Sequence, residues 1–126
     1  MPKVFIAEDN QELSRMYERV FHLNGYEVEL SYDGAQALAR LREMSEKPSV
    51  IILDSHMPNM DGTDVLRAMK EDQLLAHVPV AILTNSVTLD AQDEYMSLGA
   101  NLFMVKLNTD VKEVVDQINF LLGRKG

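Results

Sequence analysis

Five side chains that could take part in chemistry follow apolar stretches of the 126-residue sequence directly. They are an acidic pair, a third acid, a hydroxyl and an amine: Glu8, Asp9, Asp54, Thr84 and Lys106. Taken singly, each has a structural explanation, such as a helix cap, a turn or a solvated charge. If the apolar stretches are strands of one parallel sheet, however, all five side chains meet at its carboxyl edge, where such sheets bind ligands.

Three carboxylates at one edge require a compensating positive charge. Close together, carboxylates repel and raise one another's pKa values. Oxygen ligands suit a hard cation, and Mg²⁺ binds through one or two carboxylates while keeping waters and accepting a phosphate. Such an ion, together with Lys106, would neutralise charge as a phosphoryl group reaches Asp54. The set therefore predicts an aspartate that accepts a phosphoryl group with the help of magnesium.

Apolar runs predict the strands that must place these side chains. Four runs are nearly continuous, which is typical of strands buried on both faces of a parallel sheet: Val4–Ala7, Val50–Leu53, Val80–Leu83 and Leu102–Val105. A fifth stretch, Tyr26–Leu30, alternates apolar and acidic residues and predicts a half-exposed strand at a sheet edge.

Apolar residues at helical spacing predict helices in the segments between these strands. The first apolar stripe includes Met16, and Asn24-Gly25 is predicted to end that helix. Asp33 is predicted to cap the second helix, whose apolar face begins at Ala35, and Asn108-Thr109 are the cap candidates for the last. The two remaining helices are expected after Asp61-Gly62 and, more weakly, from about Thr88 to Leu98. Strands that alternate with helices predict a doubly wound α/β fold.

Composition excludes several classes of function. Basic residues number 12 against 20 acidic ones, and the net charge of -8 disfavours direct binding to nucleic acids and anionic membranes. The chain has no cysteine, which excludes disulfides and thiolate metal sites. The apolar run Val4–Ala7 is too short for a signal peptide or a membrane helix. We therefore expect one cytoplasmic domain without membrane insertion.

The whole chain resembles the receiver domains of response regulators. The residues that carry the resemblance are Glu8-Asp9, the run Val50–Asp54, the loop Met57–Gly62, Thr84, Gly99-Ala100, Phe103 and Lys106. The resemblance implies a flavodoxin-like fold, which is a doubly wound five-stranded parallel sheet in the order 2-1-3-4-5 with five helices. It also implies one receiver domain over residues 1–126, with no output domain in this chain.

The resemblance implies a role for each matched residue. Asp54 is the expected phosphoacceptor, Thr84 is expected to hydrogen-bond the phosphoryl group, and Lys106 to pair with it. Phe103 is the expected switch aromatic, which turns inward when Thr84 is drawn toward the phosphate. Mg²⁺ is the only cofactor expected, and its implied ligands are Asp9, Asp54, the backbone carbonyl of His56 and, through a water, Glu8.

The resemblance also implies partners. In this family the usual phosphodonor is a phosphohistidine on a sensor histidine kinase or a histidine phosphotransfer protein. Phosphorylation then alters the face made by helix 4, strand 5 and helix 5, to which a downstream protein binds. Such a protein is a two-component signalling switch and not an enzyme, because it catalyses only its own phosphorylation and dephosphorylation.

Three residues depart from the family's pattern. His56 lies two positions after the expected acceptor, Asn85 follows Thr84 where a small residue is common, and Leu107 replaces the proline that normally follows the lysine. No expected catalytic group is lost, so we expect a working switch with unusual kinetics. We also expect a trans peptide bond before Leu107, because the cis form costs roughly 2.5–4 kcal/mol for a non-proline residue.

Three alternative functions share parts of this pattern. A degenerate receiver would act as an interaction module without phosphorylation. The complete set of site residues argues against this function, which stays open as an alternative. A phosphatase of the haloacid dehalogenase type also uses an aspartate nucleophile and Mg²⁺, but needs a second acid where this chain has His56. A flavodoxin-like flavin carrier needs amides and hydroxyls after the first strand, where this chain has the acidic Glu8–Glu12 segment.

Overall fold

A computed structural model of the protein describes residues 1–85 and 88–124. Five parallel strands form one sheet in the order β2-β1-β3-β4-β5, which confirms the predicted fold. The strands are β1 (Lys3–Ala7), β2 (Glu27–Ser31), β3 (Val50–Asp54), β4 (Val80–Thr84) and β5 (Leu102–Val105). The helices are α1 (Gln11–Leu23), α2 (Gly34–Glu43), α3 (Gly62–Glu71), α4 (Leu89–Ser97) and α5 (Val111–Leu121).

The inner strands β1, β3 and β4 are buried on both faces, as their continuous apolar sequences predicted. The same prediction was wrong for β5, which lies at the sheet edge and is half-buried at three of its four residues, because a short apolar run does not distinguish an edge strand from an inner one. Alternate residues of β1 enter two different cores, because successive side chains of a strand point to opposite faces. Phe5 packs in the core covered by α2, α3 and α4, whereas Ile6 packs in the core covered by α1 and α5. The predicted edge strand is also found, shifted by one residue to Glu27–Ser31, and it pairs only with β1 among the described strands.

Each helix begins at a side-chain cap. Asn10, Asp33, Asp61, Thr88 and Asp110 each accept a hydrogen bond from a backbone N–H of the first turn that follows. These bonds satisfy donors that a helix leaves unpaired at its start. No helix in the described part of the chain is both long and apolar enough to cross a bilayer.

Three details of the predicted helices were wrong. The cap of α5 is Asp110 and not Asn108-Thr109, because Lys106–Asn108 forms a 3-10 turn that delays the helix. Met16 is 50% exposed, and Ala35 is exposed while Ala37 is buried. The errors at Met16 and Ala35 arise because periodicity defines an apolar stripe only to within one neighbouring position.

The predicted trans peptide bond before Leu107 is found, since no described peptide bond is cis. The 3-10 turn Lys106–Asn108 begins immediately after β5. Lys106 therefore lies at the carboxyl edge of the sheet, on the same edge as the ends of β1 and β3.

Candidate functional site

The carboxyl edge of the sheet holds a polar cleft of about 420 Å³. Its lining includes most of the side chains predicted from sequence, and comprises Glu8, Asp9, Asn10, Asp54, His56, Asn85 and Lys106. Strand β3 ends at Asp54, which lies next to β1 and its following residues because β1 and β3 are neighbours. The predicted convergence of three acids and an amine at one sheet edge is therefore present in the structure.

Glu8 is held in place by its backbone and by the first turn of α1. Its N–H donates to the carbonyl of Ser31 at 3.0 Å, and its carbonyl accepts from the Ser14 hydroxyl at 3.1 Å. The Asn10 N–H donates to Oε2 of its carboxylate at 3.1 Å. With only 2% of its surface exposed, this acid is fixed inside the cleft.

Lys106 bridges two of the carboxylates. Its Nζ lies 2.5 Å from Oε1 of Glu8 and 3.3 Å from Oδ2 of Asp54. Burial alone would lower the pKa of Lys106, but the two acids outweigh burial and raise it. The ammonium is therefore charged at neutral pH and compensates part of the buried negative charge.

Both bridged acids resist ionisation. Burial and the adjacent Asp54 carboxyl raise the pKa of Glu8 to about 7, against the opposing effect of Lys106. Burial also raises the pKa of Asp54, while Glu8 and Lys106 act in the opposite direction. One ammonium is thus not sufficient for the acids of this cleft, and a further positive charge would favour their ionised form.

The cleft fits a hard divalent cation. Glu8, Asp9 and Asp54 each offer a carboxylate oxygen, and these oxygens lie within 4.8 Å of one another. Oε1 of Glu8 is buried and has no hydrogen-bond partner within residues 1–85 and 88–124, although Lys106 is in ionic contact with it. A set of ligands made only of carboxylate oxygens suits Mg²⁺ better than a softer metal.

The loop between β3 and α3 fixes the approach to Asp54. The His56 N–H donates to Oδ1 of Asp54 at 3.3 Å, while the His56 side chain is exposed at the rim of the cleft. The Gly62 N–H donates to the carbonyl of Ser55 at 3.0 Å, which brings the start of α3 against the end of β3. A Cβ at Gly62 would lie 2.7 Å from the Asp54 carbonyl oxygen and 2.8 Å from the Tyr95 hydroxyl.

Replacing Gly62 with alanine is therefore expected to destabilise the domain. A methyl group at this position must displace backbone, and such overpacking costs typically about 1–3 kcal/mol of unfolding free energy. The measurement is urea unfolding of Gly62→Ala beside Gln11→Ala, which places alanine at the exposed first residue of α1. Equal unfolding midpoints for the two variants would contradict this account of the loop.

Thr84 and Phe103 lie beside the acidic cleft and do not line it. Thr84 is fully buried at the end of β4 and lines a second, smaller cavity of about 160 Å³. That cavity also borders α4 through Tyr95, whose ring centroid lies 6.1 Å from that of the half-buried Phe103. The predicted switch residues are thus neighbours of the acidic site and of α4.

Sequence reasoning missed Ser55 as a residue of this region. Ser55 is buried, and its Oγ lies 2.5 Å from Oγ1 of Thr84. A serine after the expected acceptor carries no local signal, since its partner lies 29 positions away on the next strand. Asn10, which holds Glu8 and caps α1, was also missed, although its place directly after the acidic pair was a usable signal.

Comparison with known proteins gives consistent results. The family model described as "Response regulator receiver domain" matches residues 4–119. The transcriptional regulatory protein PrrA of Mycobacterium tuberculosis is 34% identical over 99% of this chain, which corresponds to 52% of PrrA. The polar-differentiation response regulator DivK of Brucella anthropi is 28% identical, and the match covers 98% of each protein.

A solved structure supports the same relationship. The Mn²⁺-bound form of the response regulator Rcp1 superposes with a TM-score of 0.87 at 27% identity, covering 100% of this chain and 98% of that one. The chain spans about half the length of PrrA, at 52%, but nearly all of DivK, at 98%.

Proposed function

This chain belongs to the response regulator receiver domain family, and on that premise we propose that it is a phosphorylation-dependent signalling switch whose acceptor is Asp54. One observation carries the proposal: the buried strand β3 ends at Asp54, which lies beside two further acids and the bridging ammonium of Lys106. A carboxylate oxygen of Asp54 attacks the phosphorus of a phosphohistidine, the P–N bond breaks, and the imidazole leaves with the electron pair.

Mg²⁺ is the cation that we propose for this reaction. The carboxylates of Asp9 and Asp54 would bind it directly, Glu8 would bind it through a water, and the His56 carbonyl would complete the protein's contribution. The ion supplies positive charge to the transferring phosphoryl group. The related Rcp1, whose structure is a Mn²⁺-bound form, supports a divalent cation in this family.

Thr84 and Phe103 carry the signal in this proposal. An acyl phosphate at Asp54 carries about two negative charges where the carboxylate carried one, and its oxygens attract Lys106 and the Thr84 hydroxyl. Because Thr84 shares a cavity with Tyr95 of α4, and Tyr95 packs near Phe103, displacement of Thr84 alters packing under α4 and β5. The face made by α4, β5 and α5 is then the surface that a downstream protein recognises.

The proposed partners follow from this chemistry. The donor is a sensor histidine kinase or a histidine phosphotransfer protein, and the same proposal makes the cytoplasm its compartment. The domain catalyses only its own phosphorylation and dephosphorylation. As a second candidate, a phosphorylation-independent interaction module would keep the fold and its α4–β5–α5 face, but would not need the ionic contact between Lys106 and Asp54.

Incubation with Mg²⁺ and acetyl phosphate tests the function directly. Intact mass is expected to show one added phosphoryl group, with a first phase of donor consumption near one equivalent per chain and a slower phase set by the rate of self-dephosphorylation. Continued hydrolysis at the rate of the first turnover, without accumulation of the phosphorylated chain, would favour the phosphatase alternative instead. No added mass on a folded protein would favour the interaction module.

Asp9→Asn is expected to weaken Mg²⁺ binding. Asp9 is exposed and contributes one of the three clustered carboxylate oxygens, so its loss removes a direct charged ligand. We expect at least a tenfold increase in the dissociation constant, equivalent to about 1.4 kcal/mol, measured by calorimetric titration. Glu12→Gln is the matched control, since it removes the same charge from the exposed first turn of α1; equal affinities in the two variants would place the ion elsewhere.

A further inference from the structure

Ser55 is a buried hydroxyl that the proposed mechanism does not use. Only 5% of its surface is exposed, and its Oγ lies 2.5 Å from Oγ1 of the fully buried Thr84. Buried hydroxyls are nearly always hydrogen-bonded, because leaving one unpaired away from water is costly. The contact therefore joins the residue after the proposed acceptor to the residue proposed to sense the phosphoryl group.

The backbone holds Ser55 more firmly than its position in a loop suggests. Its carbonyl accepts the Gly62 N–H at 3.0 Å, and its Cα would lie 3.0 Å from a Cβ placed on Gly62. The register pairs Asp54 with Leu83, so Ser55, which directly follows β3, and Thr84, the last residue of β4, come next along the chain on the two neighbouring strands. Ser55 is thus a fixed partner, and Thr84 is the residue of the pair that phosphorylation is proposed to displace.

The Ser55–Thr84 pair lies at a different cavity from the acidic cleft. Both residues line the 160 Å³ cavity that borders α4, whereas Asp54 and Lys106 line the 420 Å³ cleft. A Thr84 hydroxyl that donates its single proton to Ser55 has none left for a phosphoryl group on Asp54. Under the proposed function, Ser55 and the phosphoryl group therefore compete for that proton.

From this geometry we infer that Ser55 is a latch that holds Thr84 in the unphosphorylated position and so sets how readily the switch turns on. Ser55 is a positioning residue that acts through Thr84, and the inference rests on the proposed function. The phosphoryl group must take the Thr84 hydroxyl from Ser55. The 160 Å³ cavity is large enough for a water to replace Thr84 beside the released serine, where the Asp61 and Glu94 side chains also line it.

Removal of the latch is expected to favour the activated arrangement. A typical net hydrogen-bond contribution corresponds to a change of roughly 3- to 10-fold in the equilibrium between the two Thr84 positions. In Ser55→Ala, NMR signals of Thr84 and Phe103 in the unphosphorylated protein should move toward their phosphorylated wild-type positions. At a low, fixed concentration of acetyl phosphate, the phosphorylated fraction should rise in the same proportion.

Three further variants separate the latch from a general packing effect. Ser55→Thr keeps the hydroxyl and should restore wild-type signals, whereas Ser55→Cys keeps the volume with a weaker donor and should behave like Ser55→Ala. Ser31→Ala removes another fully buried serine hydroxyl, at the end of β2, and should leave Thr84 and Phe103 unchanged. If Ser55→Ala does not fold, Ser55→Cys provides the same comparison.

The experiment distinguishes failure of the proposed Ser55 latch from failure of the proposed function. If wild type is phosphorylated but the Thr84 and Phe103 signals of Ser55→Ala stay at their wild-type positions, or phosphorylation falls, the latch is overturned and the proposed function stands. A fall in phosphorylation would mean that Ser55 donates a hydrogen bond to Thr84 in the phosphorylated state. If wild type gains no phosphoryl mass, the proposed function fails, and the latch fails with it.

Discussion

Asp54→Asn is expected to abolish phosphorylation from acetyl phosphate in the presence of Mg²⁺. The side-chain amide that replaces the carboxylate is not a nucleophile for phosphorus, and the substitution also removes one of the three clustered negative charges. Intact mass spectrometry should show one added phosphoryl group on wild type and none above background on the variant.

The control for this experiment is Asp116→Asn, which makes the same change at an exposed position of α5. It should be labelled like wild type, and far-UV circular dichroism should show that both variants are folded. Equal labelling of Asp54→Asn and Asp116→Asn would move the acceptor to another residue. Loss of labelling in both would indicate an effect of charge that is not specific to the cleft.

Much of the fold could be predicted because its signals are local. Inner strands such as Val50–Asp54 are buried on both faces and have continuous apolar sequences, and the alternation within Tyr26–Leu30 indicated the edge strand β2. The equally continuous Leu102–Val105 gave no sign that β5 is the other edge strand. Side-chain caps such as Asp33 depend on bonds within one turn. The carboxyl-edge rule then brings the strand ends together without knowledge of any side-chain contact.

Contacts between buried polar side chains could not be predicted in this way. The Tyr26 hydroxyl donates to Oδ1 of Asn119 at 2.6 Å across 93 positions of the chain. Tyr26 had been assigned to the alternating strand, and Asn119 lies among apolar residues of α5. Such pairs depend on how a helix packs against the sheet, which periodicity does not specify. The Ser55–Thr84 contact escaped prediction for the same reason.

The position of Lys106 was predicted, but its principal contact was not. The sequence indicated a lysine near the acceptor, whereas Nζ is closer to Glu8, at 2.5 Å, than to Asp54, at 3.3 Å. Among the described residues, the Lys106 ammonium is the basic group in ionic contact with both acids. A bound cation would compete with Lys106 for Glu8, and would leave the ammonium free to contact a phosphoryl group on Asp54.

This competition makes Lys106→Met the second variant with a large expected effect. Methionine has a similar length without charge, so the metal-free variant leaves the buried Glu8 and Asp54 without their ammonium. Breaking a buried ion pair costs about 3–5 kcal/mol of unfolding free energy, which uptake of a proton by Glu8, with its pKa of about 7, should partly offset. Urea unfolding without metal should show a clear loss of stability, and labelling by acetyl phosphate should fall by roughly a hundredfold.

Added Mg²⁺ distinguishes the charge of Lys106 from its packing. An ion that binds only the folded state stabilises it by mass action, and in Lys106→Met it also supplies the missing positive charge without displacing an ammonium. We therefore expect Mg²⁺ to raise the unfolding free energy of the variant more than that of wild type, while labelling stays low because the phosphoryl group still lacks its ammonium partner. Lys112→Met, at an exposed position of α5, should match wild type in both assays. If Lys106→Met without metal is as stable as Lys112→Met, the buried ionic bridge does not stabilise the fold; if Mg²⁺ stabilises it no more than wild type, lysine and metal do not compete for Glu8.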